Sequence, residues 1–176
     1  MNPSHVLALA LASALISPAA LAHGAAHGHA PADAPHAPAR SASAPAEQQP
    51  WGIAGRAEQV TRVVDIRMND RMRFAPDHLR VRQGETLRLR VHNDGQALHE
   101  LVIGTQAELR KHADLMKRFP EMEHDEPHMV HVAPGQTGEL IWTFNRPGSF
   151  DFACLLPGHF EAGMVGRITV TPRKTR

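Results

Sequence analysis

The 176 residues include a single cysteine, so no internal disulfide can form. The apolar run at residues 6–16 falls short of the roughly 20 residues that a membrane-spanning helix needs. No block of like charge occurs. The 19 Lys and Arg are dispersed among 18 Asp and Glu, which leaves a mixed surface and no basic patch for nucleic acid. Large apolar residues are almost missing from residues 23–50, a stretch rich in Ala, Pro and His. Such a segment cannot bury enough surface to offset its ordering entropy, and it is expected to be a disordered tail. The length then leaves one globular domain, residues 51–176.

What is present concentrates around the cysteine. In Cys154-Leu-Leu-Pro-Gly-His159-Phe-Glu-Ala-Gly-Met164 a thiol, an imidazole and a thioether follow one another at equal gaps. These are soft ligands that suit copper, and a blue-copper site requires a second histidine. Zinc is the poorer match, because its sites favour further Cys, His or carboxylate over a thioether. The second histidine must come from a distant strand, since one loop cannot surround a metal. Strand phase selects it. The period of two places Phe150, Phe152 and Cys154 on one inward face, and His99 with Leu101 and Ile103 on another. His92 shares its face with Arg88 and Arg90, so His99 is the better candidate.

The loop spacing, with strands on both sides, resembles the cupredoxins, the small blue-copper family, and in particular the rusticyanin and auracyanin branch. Residues 68–170 are similar to periplasmic cupredoxins of bacterial copper tolerance. That closer likeness rests on Met68-x3-Met72-Arg-Phe-x-Pro76, on Glu121-Met-Glu-His-Asp-Glu-Pro127 and on the loop itself. The resemblance implies His99, Cys154 and His159 as strong equatorial ligands to one type-1 copper, with Met164 as the weak axial ligand. One departure is visible. Many cupredoxins carry Asn or Ser after the first histidine, and this chain has Glu100.

The remaining chain fits that frame. Seven or eight short strands separated by turn signals such as Asn93-Asp94-Gly95 argue for an all-β, antiparallel β-sandwich. The resemblance supplies its cupredoxin-like Greek key. One helical insertion is expected at residues 106–119, with Leu109, Ala113 and Met116 on its apolar face and Pro120 ending it. After the helix come Met122, His124, His128, Met129 and His131, with Met129 and His131 expected to face outward. Together with Met68 and Met72 they form a candidate second, labile Cu(I) site. The alternative is a methionine-bearing loop that caps the sandwich.

Residues 1–22 read as a secretory signal peptide: an apolar core, then Ala20-Leu21-Ala22 as a small-x-small cleavage pattern. Only His5 and the amino terminus stand where Lys or Arg is usual. The expectation is a periplasmic protein with no stable membrane span after cleavage. In the tail, His23, His27, His29 and His36 are candidate copper ligands. The alternative there is a solubilising linker. Two functions share the chemistry, copper handling in tolerance and dedicated electron transfer to a partner docking near Leu155, Leu156 and Phe160. An enzyme is not expected. Ala153 and Leu155 flank the cysteine where multicopper enzymes often place histidines, and a binuclear site would need two cysteines.

Overall fold

Two sheets follow from the alternating apolar positions. A computed structural model describes residues 46–120, 122 and 124–174, so the expected signal segment and the tail with its four histidines lie outside the described residues. The strands run in order β1 (Gln48–Gln49), β2 (Gly52–Ala54), β3 (Arg62–Asn69), β4 (Arg73–Ala75), β5 (His78–Arg82), β6 (Thr86–Asn93) and β7 (His99–Gly104). Helix α1 (Gln106–Arg118) comes next, then β8 (Met129–Val132), β9 (Thr137–Thr143), β10 (Gly148–Ala153) and β11 (Val165–Thr171). One sheet is ordered β1-β2-β9-β6-β3-β4 and the other β5-β11-β10-β7-β8.

The pairing is not purely antiparallel as expected. Strand β3 runs parallel to β6, and β5 runs parallel to β11. The chain leaves the first sheet after β4, contributes β5 to the second and returns as β6, and a parallel pair requires such a crossover. The very short β1, β2 and β4 carry too few residues to show an alternation.

Between the sheets, Ile66, Leu89 and Trp142 of one meet Leu101, Phe152 and Ile168 of the other in a single buried cluster. Met68 belongs to this cluster and is fully buried, which removes it from any surface metal site. Phe152 meets Phe74 edge to face at 4.9 Å, and a Cβ at Gly166 would collide with the Phe152 ring. Small size at residue 166 is therefore a packing requirement.

Helix α1 covers the outer face of the second sheet. Thr105 caps it by accepting the Glu108 N–H through its hydroxyl, and Phe119 follows its last turn, just before Pro120. Its buried face is the expected Leu109, Ala113 and Met116. Leu109 and Ala113 close a second apolar cluster with Val102, Met129, Ala153 and Leu155. Two expectations are overturned by this cover. Met129 does point away from the inter-sheet core, but the helix buries it, so it does not face solvent. Leu155 is likewise interior, and it cannot belong to a docking rim.

His128 stands edge-on to Trp51 at 5.3 Å and to Trp142 at 5.9 Å, and burial holds its pKa below the ordinary histidine range. Because the folded pKa is depressed, its contribution to stability is full above the unfolded value of about 6.5 and is lost as pH falls through the folded value. The expected result is that His128→Gln flattens the decline of Tm between neutral pH and pH of about 5 in metal-free protein. An unchanged slope in a thermal melt would show that His128 does not govern acid sensitivity.

Candidate metal centre

The ends of three neighbouring strands bring the expected ligands together. Strands β7 and β11 both pair antiparallel with β10, so the start of each lies beside the end of β10. His99 opens β7, Cys154 follows β10 directly, and Met164 directly precedes β11. Ligand atoms of His99, Cys154 and His159 all lie within 4.8 Å of one another. Cys154 Sγ is 3.2 Å from His159 Nδ1, and the two imidazole rings stand 5.0 Å apart. Met164 is fully buried in the same cluster as Cys154.

The loop between β10 and β11 is tied internally by its own backbone. Cys154 N–H donates to the Met164 carbonyl, Met164 N–H to His159, and His159 N–H to Leu156, at 3.0–3.1 Å. Gly158 and Gly163 take positive φ values of 88° and 84°, a region open to glycine at no steric cost. Arg73, from the Met72-Arg-Phe motif, reaches across to donate to the Ala162 carbonyl at 2.9 Å. That motif therefore serves as a clamp on the loop. Met72 itself has a positive φ of 57° and is half-buried against the main core.

His99 is oriented by a carboxylate that strand phase cannot reveal. Its Nε2 lies 3.1 Å from Asp70 Oδ1, and a carboxylate can only accept, so Nε2 carries the proton. Nδ1 keeps the lone pair, and it is buried without a hydrogen-bond partner. An orphaned buried acceptor beside a thiol and a second imidazole fits a bound metal, and an imidazole whose other nitrogen meets a carboxylate is the usual arrangement of a metal ligand. Asp70 also accepts the Gln96 and Ala97 N–H groups at 2.7 and 3.2 Å, which depress its pKa. A Cβ at Gly95 would collide with its carboxylate. Buried Asn93 completes the support by donating to the Ala97 and Val132 carbonyls, both at 2.8 Å. Asp70→Ala is expected to weaken copper binding about 10- to 100-fold, read by competition with a chelator. Affinity equal to wild type would show that His99 needs no orienting partner.

Burial pushes the Cys154 thiol up to about 12, while the backbone amides of Glu100 and Leu156 pull it the other way. Glu100 thus acts on the sulfur in two opposed ways, its amide lowering the thiol pKa and its carboxylate charge raising it. Its Oε1 accepts the Leu155 N–H at 2.7 Å, and Oε2 lies 2.8 Å from His131 Nε2 without hydrogen-bond alignment. The carboxylate is fully buried, directly across the β7–β8 ladder from His131. It raises the His131 pKa against the effect of burial. His159 is only partly buried, and burial followed by the neighbouring His99 lowers its pKa. A neutral imidazole is the form that ligates a metal.

The residues anticipated for a second site are dispersed. Met68 and Met129 are interior, His128 packs against two tryptophans, and Met72 lies on the loop with Arg73. Met122, His124 and His131 stay near one another beside α1, with His124 and His131 rings 5.9 Å apart. His112, on the half-buried side of α1, joins them with Nε2 at 2.8 Å from His124 Nε2. Rejected His92 occupies the surface, between Asp65 and Thr137.

A two-sheet β-sandwich with a His-Cys-His cluster at the end of three strands defines a metal-binding class, and the comparisons agree. Residues 60–171 match the model for copper binding proteins of the plastocyanin/azurin family, and the chain belongs to that family. It is 50% identical over 121 residues to the copper-resistant cuproprotein CopI of Rubrivivax gelatinosus, covering 69% of this chain and 73% of that protein. Its similarity to CopI of Pseudomonas aeruginosa is 33% over 166 residues, covering 76% and 90% respectively. Among solved structures, auracyanin B shares the fold with a TM-score of 0.58 at 23% identity, covering 69% of this chain and 96% of its own. An auracyanin of Roseiflexus castenholzii does so with a TM-score of 0.55 at 22% identity, covering 64% and 98%.

Proposed function

We propose that the protein is a periplasmic copper-handling cupredoxin of bacterial copper tolerance. His99 Nδ1, the Cys154 thiolate, His159 Nδ1 and the Met164 thioether hold one type-1 copper. The observation that carries this reading is the orphaned, buried His99 Nδ1 facing a buried thiol and a second imidazole. A copper bound there supplies a one-electron Cu(I)/Cu(II) couple. The chain's own part is to fix the donors before metal arrives: Asp70 sets the His99 tautomer, the loop's backbone bonds set the spacing of Cys154, His159 and Met164, and the two clusters exclude water. Tolerance is supported by the likeness to the CopI cuproproteins, which are copper-resistant proteins by name. Export is supported by the secretory pattern of residues 1–22, and a copper-scavenging role of residues 23–50 by their four histidines.

The reading of a dedicated electron carrier has one observation in its favour. His159 is partly open to solvent, and Leu98 beside His99 is 45% exposed, with half-buried Leu156 and Phe160 nearby in the loop. Leu98, absent from the expected rim, takes the place of Leu155. Neither reading involves substrate turnover, so we propose a non-enzyme. The test is expression in a copper-sensitive bacterium. Wild type is expected to raise the tolerated copper concentration several-fold and Cys154→Ser to leave it at the baseline. Equal tolerance with both chains would move the assignment to electron transfer or to the tail.

A further inference from the structure

We propose that His112 and His124 form a second copper site, distinct from the Cys154 centre, which binds Cu(I) at the surface between α1 and the segment before β8. The two Nε2 atoms face each other at 2.8 Å, and the rings stand 4.6 Å apart. His124 Nδ1 lies 3.1 Å from the Met122 carbonyl, which can only accept, so Nδ1 carries the proton and Nε2 presents its lone pair. A ring nitrogen donating to a backbone carbonyl while the other faces outward is how metal-binding histidines are usually held. In the metal-free protein the His112 N–H occupies that lone pair. Replacing the shared proton by a metal needs only a small motion. With bonds of about 2.0 Å, tetrahedral ligation separates two imidazole nitrogens by roughly 3.3 Å.

The surroundings select the ion. Met122 lines two clefts that meet at His124, one of about 580 Å³ and one of about 620 Å³. It is the thioether nearest in sequence to the pair. Thioether and imidazole donors favour soft Cu(I). The first cleft is lined by charges of both signs, Glu47, Glu108 and Glu126 against Lys111 and Arg118, so the choice of ion falls to the donors. His131, edge-on to His124 at 5.9 Å, meets buried Glu100, whose other oxygen holds the Leu155 amide next to Cys154. The second site thus adjoins the first through a ring contact of His124 with His131 and the polar contacts of Glu100.

The test is an anaerobic Cu(I) titration of the whole protein against a colorimetric Cu(I) chelator, after the Cys154 centre has received one equivalent. Wild type is compared with His112→Asn and His124→Asn, and the tail is present in all three, so its histidines contribute equally. Each variant is expected to bind one equivalent less, or to hold that equivalent more than tenfold more weakly. Its visible absorption on oxidation should remain that of wild type. That absorption reports the Cys154 centre alone, so failure of the first assignment and failure of this one are distinguishable. In wild type, the imidazole nitrogen resonances of His112 and His124 are expected to shift with the added Cu(I), a readout that does not depend on the variants folding. Superimposable titrations, unmoved resonances, or tighter binding of Zn(II) than of Cu(I) would each overturn the proposal.

Discussion

Cys154→Ser is expected to abolish the intense visible absorption of the copper-loaded protein and to reduce its copper content by one equivalent. The thiolate is the only anionic donor among His99, Cys154, His159 and Met164, and a charge-transfer band of that kind requires the sulfur. The buried thiol, with its pKa pushed up to about 12, is protonated in metal-free protein at neutral pH, so copper binding must release that proton. Wild type should therefore liberate one proton more than the serine variant, measurable by calorimetry in buffers of different ionisation enthalpy. Copper at about 100 times its dissociation constant stabilises wild type by roughly 2.7 kcal/mol, a margin the variant is expected to lose. Metal-free Tm should change little, because a hydroxyl replaces a thiol of similar shape. A serine variant that stays coloured would place the copper elsewhere.

Glu100→Ala carries the second large effect, this time on the fold itself. A fully buried carboxylate is costly unless it is paired, and this one meets the Leu155 amide and His131. Truncation leaves a buried N–H without an acceptor and a cavity beneath α1, so a loss of about 3 kcal/mol is expected in chemical denaturation. Glu100→Gln separates charge from shape. Its side-chain oxygen can still accept the Leu155 N–H, so most stability is retained. Removing a negative charge close to the metal disfavours Cu(II) over Cu(I), and the reduction potential is expected to rise. A Gln variant as unstable as Ala would show that the ion pair dominates. An unchanged potential would show that the carboxylate is screened from the centre.

Periodicity revealed those features whose signal lies within one strand. It grouped His99 with Leu101 and Ile103 and set aside His92, which lies on the surface with Asp65. The expected helix and its apolar face follow from the same kind of pattern. What failed was the inference from direction to exposure. Met129 does point away from the inter-sheet core, but α1 covers that face, and coverage is a tertiary fact. Asp70 was invisible because it sits in the turn between β3 and β4 and reaches His99 through space. His112 lay in the polar pattern of the helix, where a histidine resembles any solvent-facing residue, until the segment before β8 brought His124 against it. Met68 and Met72 share a motif, yet one fills the core while its neighbour Arg73 clamps the metal loop.

The loop that carries Cys154, His159 and Met164 has a modular consequence. Both its ends meet in one backbone bond, Cys154 N–H to the Met164 carbonyl, and further internal bonds shape it, with Glu100 Oε1 of β7 holding the Leu155 N–H. Among the described residues, Arg73 alone reaches in from another element to grip its backbone carbonyls. Such a segment behaves as a cassette. With buried Cys154, Leu155 and Met164 kept, a stretch of different length between them is expected to leave the sheets standing, so ligand spacing can change in evolution or by design separately from the stability of the strand ends that hold it.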